Sequence, residues 1–349
     1  MSWPMSQDFN EAIQNPNIAF SDPDLRDGET VVGAHGMPLP RSGNFADVYQ
    51  VRGADGQEWA VKCFTRPVTG LGDRYAAISE TLAEANFPFS VGFEFLADGI
   101  RVGGIWRPVV KMEWVEGLLF NQVVRENAAN PKTLSGLGQM WVKLSKRLRD
   151  VGVAHADLQH GNVLMVPGSR PGAFGLKLID YDGMYVPALA NTPSGESGHP
   201  SYQHPGRAKN RAYSPDVDRF PHLVIATALK GLAVCGQPLW EKYDNGDNLL
   251  FTEDDFRKPS NSNVMRELWE TDDATVQAFV GRLALACGRA IPQTPWLDQF
   301  APDGDPTPLE DGQRREAAAA LGISLPVPVT PPPSATKLRP SSAPGQAFA

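Results

Sequence analysis

The chain has 349 residues, of which 42% are hydrophobic, and its formal net charge at pH 7 is -8. This length suits one large domain or two, with enough sequence for a sizeable buried core. The negative charge disfavours general binding to nucleic acid or to anionic membranes, so we expect neither as a partner.

Cysteine usage and hydropathy predict a cytoplasmic protein. Cys63, Cys235 and Cys287 lie far apart without the spacing of disulfides or metal sites, which favours a reducing compartment. The N-terminal residues have no basic start followed by an apolar stretch, so we expect no signal peptide. The longest apolar run, 222–236, contains Lys230 and is too short to cross a bilayer, so a buried helix is predicted there.

The first part of the chain predicts strands. Residues 1–30 are polar with scattered Pro and Asp and are expected to form a mobile N-terminal extension. In 31–115, "ADVYQVRGADGQEWAVKCF" and "IRVGGIWRPVVKMEWV" each alternate around a glycine-containing turn, which predicts two hairpins. One helix is predicted between them at "RYAAISETLAEANF", where Glu80 and Glu84 share a face.

The second part predicts helices. In 116–300, "LGQMWVKLSKRLRDVGV" and "DATVQAFVGRLALACGRA" have apolar residues at helical spacing. A short helical extension is expected at 301–324, and the Pro/Ser-rich tail at 325–349 is expected to be disordered. The predicted fold class is therefore α+β.

Two short segments concentrate polar side chains that could act together. "HADLQHGNVL" (155–164) and "GLKLIDYDGM" (175–184) flank a Gly- and Pro-rich stretch, which predicts a hairpin that brings Asn162 and Asp180 to one mouth of the structure. Mg²⁺ takes such oxygen ligands and completes its shell with water and phosphates. Asp157, set apart from that pair, could accept a proton.

These residues resemble motifs of the protein-kinase superfamily. His155-Ala156-Asp157-Leu158 followed by Asn162 resembles the catalytic loop, and Asp180 resembles the metal-binding aspartate. Upstream, "RSGNFADVYQV" resembles the glycine-rich loop over ATP, and Lys62 in "WAVKCF" resembles the phosphate-binding lysine. Downstream, "GHPSYQHPGR" resembles the end of an activation segment, and Asp218 resembles the aspartate that anchors the catalytic loop. The likeness covers roughly 30–231, in the family's order.

The resemblance implies a bilobal protein-kinase-like fold, with a β-rich N-lobe that contains one main helix (31–115) and a mainly helical C-lobe (116–300). It implies ATP and Mg²⁺ as cofactors, with Asp157, Lys62 and Asn162 as catalytic residues and Asn162 and Asp180 as metal ligands. Glu80 would pair with Lys62, and Glu84 is the alternative. The residues implied to bind the nucleotide are Gly43, Val48, Ala60, Lys62, Glu80, Met112, Glu113, Val115, Leu164 and Ile179.

Several positions depart from the family pattern. Ala156 replaces its usual arginine, Gln159 its lysine, and Gly206 the glutamate of A-P-E, while D-F-G becomes Asp180-Tyr181-Asp182. None is the implied base or a metal ligand, so a slow Ser/Thr protein kinase, similar to divergent bacterial members, is the leading expectation. A small-molecule kinase of the aminoglycoside or choline type and a pseudokinase binding module are the alternatives. Expected partners are ATP, a protein substrate and a regulatory protein that binds the N- or C-terminal extension.

Overall fold

A computed structural model describes residues 2–43, 45–168, 173–190, 192–209 and 213–325. The first part of the chain is an antiparallel sheet with strand order β1-β3-β4-β6-β5, and β2 pairs with β3. In chain order, these strands are β1 (Glu29–Thr30), β2 (Arg41–Ser42), β3 (Ala46–Arg52), β4 (Glu58–Phe64), β5 (Phe93–Val102) and β6 (Ile105–Glu113). Both predicted hairpins are confirmed, as β3–β4 and β5–β6.

The two faces of the β3–β4 hairpin carry different side chains, because successive residues of a strand point in opposite directions. Val48 and Ala60 point to the face that lines a cleft, together with Lys62, which is paired with Val48 in register. Tyr49 and Val61 point to the other face and are buried there. One face of the hairpin therefore borders a cleft, and the other is buried in a hydrophobic core.

The segment that covers the second face is residues 2–30, so the expectation of a mobile extension at 1–30 is wrong for its described part. It forms three short helices, α1 (Ser6–Ala12), α2 (Pro16–Ala19) and α3 (Pro23–Arg26). Phe9, Ile13 and Phe20 are buried against Tyr49, Val51, Val61 and Cys63 of the sheet. These three side chains are thus used within the chain, whereas Met5 and Ile18 of the same segment are exposed.

An ion-pair cluster fixes the same segment. Lys111 of β6 is 4% exposed, and its Nζ lies 2.8 Å from Asp22 Oδ1 and 2.6 Å from Asp24 Oδ2. Burial alone would lower the pKa of Lys111, but the two carboxylates raise it above its ordinary value. The ammonium therefore stays charged and holds α3 against the sheet.

Phe20→Ala is expected to lower the free energy of unfolding by about 3–5 kcal/mol, the usual cost of removing a buried phenyl ring. Ile18→Ala is the matched control, since Ile18 lies in the same segment but is 70% exposed, and a change within about 0.5 kcal/mol is expected. Urea denaturation measures both. Equal small effects would show that the segment is not docked on the sheet.

One helix, α4 (Leu71–Glu84), packs on the cleft side of the sheet. Its buried residues, Leu71, Tyr75, Ile78 and Leu82, recur at helical spacing and define a single inward face. This periodicity fixes which of its side chains can reach the cleft.

The second part of the chain is mainly helical and begins with a small sheet of order β7-β8-β9. Three long helices, α6, α7 and α11, pack together and contribute the largest helical share of its core. In chain order the elements are β7 (Leu118–Leu119), α5 (Phe120–Glu126), α6 (Pro131–Val151), β8 (Val163–Pro167), β9 (Phe174–Leu178), α7 (Arg219–Cys235), α8 (Gln237–Tyr243), α9 (Glu253–Arg257), α10 (Asn263–Trp269), α11 (Ala274–Cys287), α12 (Leu297–Phe300) and α13 (Asp311–Ala320). A mixed α+β protein is thereby confirmed.

The predicted buried helix in the apolar run 222–236 is confirmed as α7, most of whose side chains are buried. Among the residues that the structure describes, no helix combines the length and hydropathy needed to cross a membrane. Helix α13 lies in the predicted extension at 301–324 and packs on α11, where a Cβ at Gly281 would meet Leu309 and Ala317 at 2.6 and 3.2 Å. Of the predicted disordered tail, residues 326–349 lie outside the described residues.

Candidate active site

A cleft of about 640 Å³ lies between the first sheet and the β7–β9 sheet. Its walls come from the β2–β3 turn, the cleft face of β3 and β4, the end of β6, the loop before β8 and the segment after β9. The residues that line it are Arg41, Ser42, Gly43, Phe45, Ala46, Val48, Ala60, Lys62, Val91, Met112, Glu113, Trp114, Val115, Leu119, Asp157, Gln159, Gly161, Asn162, Leu164, Ile179, Asp180, Asp182, Glu196, His199 and Asp247.

A hollow of about 720 Å³ lies elsewhere, between the N-terminal helices and the β5–β6 turn. Although this hollow is the larger of the two, we regard the cleft as the candidate site. It contains Lys62, Asp180 and Glu196, whose pKa values are all displaced from their ordinary values, and such groups concentrate at functional sites.

The loop that carries Asp157 is fixed by hydrogen bonds to a buried carboxylate. Asp218, at the start of α7, accepts hydrogen bonds from the backbone N–H groups of His155 (2.5 Å) and Ala156 (2.8 Å). Burial raises the pKa of Asp218 to about 6, although these two donors and His155 act in the opposite direction. Ala156 has φ of 65°, a left-handed conformation that is uncommon for alanine and that the paired bonds to Asp218 stabilise.

Asp157 projects from this loop into the cleft, with both carboxylate oxygens engaged. Oδ1 accepts from the backbone N–H of His199 at 2.7 Å, and Oδ2 accepts from Asn162 Nδ2 at 3.0 Å and Gln159 Nε2 at 3.3 Å. Asn162 Nδ2 also donates to the Asp157 carbonyl at 2.9 Å. The side chains of Asp157 and Asn162 therefore have fixed directions before any ligand binds.

The predicted hairpin at 163–178 is confirmed, and it brings Asn162 next to Asp180. Val163 pairs with Leu178 in register, and Ile179 N–H donates to the Asn162 carbonyl at 3.0 Å. Asp180 follows with φ of 66°, and 45% of its side chain is exposed to the cleft. The left-handed backbone at Asp180 therefore turns the chain at the point where this carboxylate enters the cleft.

Lys62 is a buried positive group of the cleft. It is 5% exposed, and its Nζ lies 2.7 Å from Asp180 Oδ1 and 2.7 Å from Asp182 Oδ2. Burial alone would lower the pKa of Lys62, but the two carboxylates raise it above its ordinary value. Desolvation would raise the pKa of Asp180, yet Lys62 keeps it below its ordinary value, so this pair is charged.

The expectation that Glu80 pairs with Lys62 is wrong in this structure, and so is the alternative Glu84. Both glutamates are exposed on α4, because the inward face of that helix carries Tyr75 and Ile78 and Glu80 is rotated away from it. Tyr75 reaches the site instead, and its hydroxyl donates to Asp182 Oδ1. Burial, followed by the neighbouring Asp182, raises the pKa of Tyr75, so the phenol stays protonated.

The other end of the cleft is an apolar slot. Val48 and Ala60 form one wall, and Leu164 and Ile179 form the other. Met112 lies at the back, where β6 ends, and Glu113 and Val115 run along the edge. Glu113 N–H donates to the Gly92 carbonyl at 2.9 Å, whereas Val115 N–H has no protein acceptor within the described residues. A flat heterocycle in the slot would find a free backbone donor there.

Gly43 lies at the roof of the cleft, in the turn between β2 and β3. Nothing lies closer than 3.6 Å to a Cβ built on it, so its contribution is backbone at the mouth rather than close packing. Arg41, beside it, stacks over the Trp114 ring at 4.7 Å. All the predicted site residues except Glu80 therefore line one cleft.

Asn162 and Asp180 have the oxygen atoms that a magnesium ion would need. Asn162 Nδ2 donates to Asp157 Oδ2, and Asp180 Oδ1 accepts from Lys62 Nζ. Asn162 Oδ1 has no protein donor within the described residues, whereas the Asp180 carboxylate also accepts from the backbone N–H of Asp182. Two oxygen ligands suit Mg²⁺, which retains waters and substrate phosphates in its shell. In the described ranges, no group of three or more His, Cys, Asp or Glu side chains is arranged to hold a metal by itself.

Glu196 is a further carboxylate of the cleft that sequence reasoning did not assign to the site. It lies in the segment after Asp182, and its burial, followed by Asp182, Asp180 and Asp157, raises its pKa to about 7. It carries no recognisable motif, and only the fold of that segment brings it near the aspartates. His199 lies in the segment that resembles the end of an activation segment, but that resemblance gave no sign that its backbone N–H reaches Asp157.

The raised pKa of Glu196 predicts that the stability of the folded protein depends on pH. The folded protein keeps a proton on Glu196 up to about pH 7, whereas the unfolded chain releases it near pH 4.5, so stability contributed by this group falls as pH rises between the two values. Glu196→Gln is expected to raise Tm at pH 8 and to leave it nearly unchanged at pH 4.5. Glu94→Gln, at an exposed position on β5, is the control, and equal curves for both variants would contradict the assignment.

No protein-family model matches this chain, and no curated protein matches it.

Proposed function

We propose that the protein is an ATP- and Mg²⁺-dependent phosphotransferase with a bilobal protein-kinase-like fold, and that it acts as a Ser/Thr protein kinase. The observation that carries this proposal is the joint lining of one cleft by Lys62, Asp157, Asn162 and Asp180, next to an apolar slot. Charged and apolar ends side by side suit a nucleotide, whose base is flat and whose phosphates are charged.

Each side chain has a role that follows from its contacts. The slot between Val48 and Leu164 would hold adenine, with Val115 N–H as a donor to the ring. Lys62 would bind the phosphates through its permanently charged ammonium. Mg²⁺ bound by Asn162 and Asp180 would neutralise phosphate charge during transfer.

Asp157 would orient the acceptor hydroxyl and take its proton. Its two oxygens already accept hydrogen bonds from His199 N–H and Asn162, which fixes the carboxylate in the direction of the cleft. Positioning of this kind supplies much of the catalysis in phosphoryl transfer, because the protein makes no covalent bond to the phosphate.

A specific observation favours a protein acceptor over a small molecule. The segment around Gly198 and His199 touches the catalytic loop, since a Cβ at Gly198 would lie 2.8 Å from the Ala156 carbonyl. This segment resembles the substrate-binding end of a protein-kinase activation segment, which small-molecule kinases usually lack. Asp180-Tyr181-Asp182 in place of D-F-G is the feature that supports the small-molecule alternative.

Transfer of labelled γ-phosphate tests the proposal. Wild-type protein would be incubated with ATP, Mg²⁺ and a set of generic protein substrates, and in parallel with aminoglycosides and choline. We expect label on protein Ser or Thr and none with Asp157→Asn. Label on the small molecules alone would support the alternative kinase. A wild type that transfers nothing, or transfer that Asp157→Asn leaves intact, would contradict phosphotransfer by this cleft.

A further inference from the structure

We propose that Asp182, fixed by Tyr75, positions Lys62 for the phosphates in place of a carboxylate from helix α4. This inference rests on the proposed function, because it assigns Lys62 a partner during phosphate binding. Three observations support it: the double ion pair of Lys62, the hydroxyl contact of Tyr75, and the exposed location of Glu80.

The two carboxylates beside Lys62 have different surroundings. Asp180 is exposed to the cleft by 45%, whereas the Asp182 side chain is 14% exposed. Asp180 is also one of the two proposed magnesium ligands, whereas Asp182 is not. If a metal and phosphates were bound, Asp180 would coordinate the metal, and Asp182 would remain paired with Lys62.

Tyr75 fixes Asp182 from the other side. Its hydroxyl donates to Oδ1, which leaves Oδ2 for Lys62 at 2.7 Å. The ring itself is immobilised by packing, with Phe93 edge-on at 5.6 Å and Phe95 stacked at 6.0 Å. Helix α4 therefore still determines the position of Lys62. It does so through Tyr75, which holds Asp182 of the segment after β9.

A competing explanation is that Asp182 is itself a magnesium ligand, since it lies two residues after Asp180. The two explanations differ in their consequences. A metal ligand, when removed, raises the Mg²⁺ concentration needed for half-maximal activity. A residue that only positions Lys62 leaves that concentration unchanged and loses its effect when Lys62 is absent.

The kinetic test uses Asp182→Asn, Tyr75→Phe and Glu80→Gln. We expect kcat to fall about 10- to 100-fold for Asp182→Asn, the scale for a misplaced reacting group, and less for Tyr75→Phe. Glu80→Gln should match wild type, and half-saturation by Mg²⁺ should change less than about twofold in Asp182→Asn. In a Lys62→Met background, Asp182→Asn should cause no further fall. A shift in the Mg²⁺ requirement, an additive fall, or a loss with Glu80→Gln would overturn the inference.

A second readout does not depend on activity. Lysine acylation followed by mass spectrometry reports how accessible and how basic each amine is in the ligand-free protein. Lys111 is the matched internal control, because it lies in the same sheet, is 4% exposed and also contacts two aspartates. Asp182→Asn should increase labelling of Lys62 several-fold without increasing that of Lys111.

The outcomes separate the inference from the function. Increased labelling of both lysines would mean general loosening, and unchanged labelling of Lys62 would mean that Asp182 does not hold it; either result overturns the inference. If wild type transfers no phosphate, the proposed function fails, while labelling still decides whether Asp182 holds Lys62.

Discussion

Asp157→Asn is expected to lower phosphate transfer by about 10²- to 10⁴-fold, the range for loss of a general base, while nucleotide binding stays nearly unchanged. Asparagine keeps the shape of the side chain and an oxygen that can accept from His199 N–H. Its amide nitrogen replaces the oxygen that accepts from Asn162, but the bond from Asn162 Nδ2 to the backbone carbonyl of residue 157 remains and should hold the loop. It cannot take a proton from the acceptor. The effect should therefore fall on kcat rather than on KM for ATP.

Asp180→Asn should also abolish transfer, but through loss of the metal-dependent part of nucleotide binding. Its pKa lies below the ordinary value beside Lys62, so the wild-type side chain is a charged ligand that asparagine cannot match. Titration of a fluorescent nucleotide analogue with and without Mg²⁺ separates the two variants. Equal loss of binding in both would contradict the division of roles between Asp157 and Asp180.

Lys62→Ala is expected to lower turnover by about two to three orders of magnitude, the scale for removal of one fixed electrostatic contact. The substitution also leaves Asp180 and Asp182 without their counter-ion, so they would repel the phosphates and raise KM for ATP. Steady-state rates over a range of ATP concentrations measure both effects.

Lys146→Ala is the control for this substitution, since Lys146 forms only an exposed ion pair with Asp150 on α6. Its expected turnover is that of wild type. If Lys62→Ala also keeps turnover within a few-fold of wild type, the assignment of the first sheet to nucleotide binding is wrong.

The sequence predicted those parts of the site that depend on local order. Asp157, Asn162 and Asp180 lie on one loop and one hairpin, so their spacing along the chain determines their proximity in space. The long helices α6 and α11 and the β3–β4 hairpin were predictable for the same reason, because their periodicity is a local property.

The partner of Lys62 was not predictable, because it depends on how α4 is rotated against the sheet. Glu80 and Glu84 share a helix face, but the spacing of Leu71, Tyr75, Ile78 and Leu82 turns a different face inward. That apolar spacing was present in the sequence as a signal against Glu80. Asp182 could have been noticed as a second carboxylate beside Asp180, but nothing local assigns it to Lys62.

The N-terminal segment was misjudged for a different reason. Its overall composition is polar, yet a few apolar side chains are spaced so that they cover one face of a sheet. Composition averages over residues, whereas packing depends on the individual side chains that meet a partner surface. The buried face of β3 and β4, with Tyr49 and Val61, carried the complementary signal.

Nucleotide binding by the wild type tests the central claim most directly, because it requires no knowledge of the acceptor. Calorimetric titration with a non-hydrolysable ATP analogue, with Mg²⁺ and then with a chelator, would measure stoichiometry and affinity. We expect one site per chain, with binding that is clearly tighter in the presence of Mg²⁺. Absence of binding at millimolar analogue, or the same affinity with and without Mg²⁺, would contradict it.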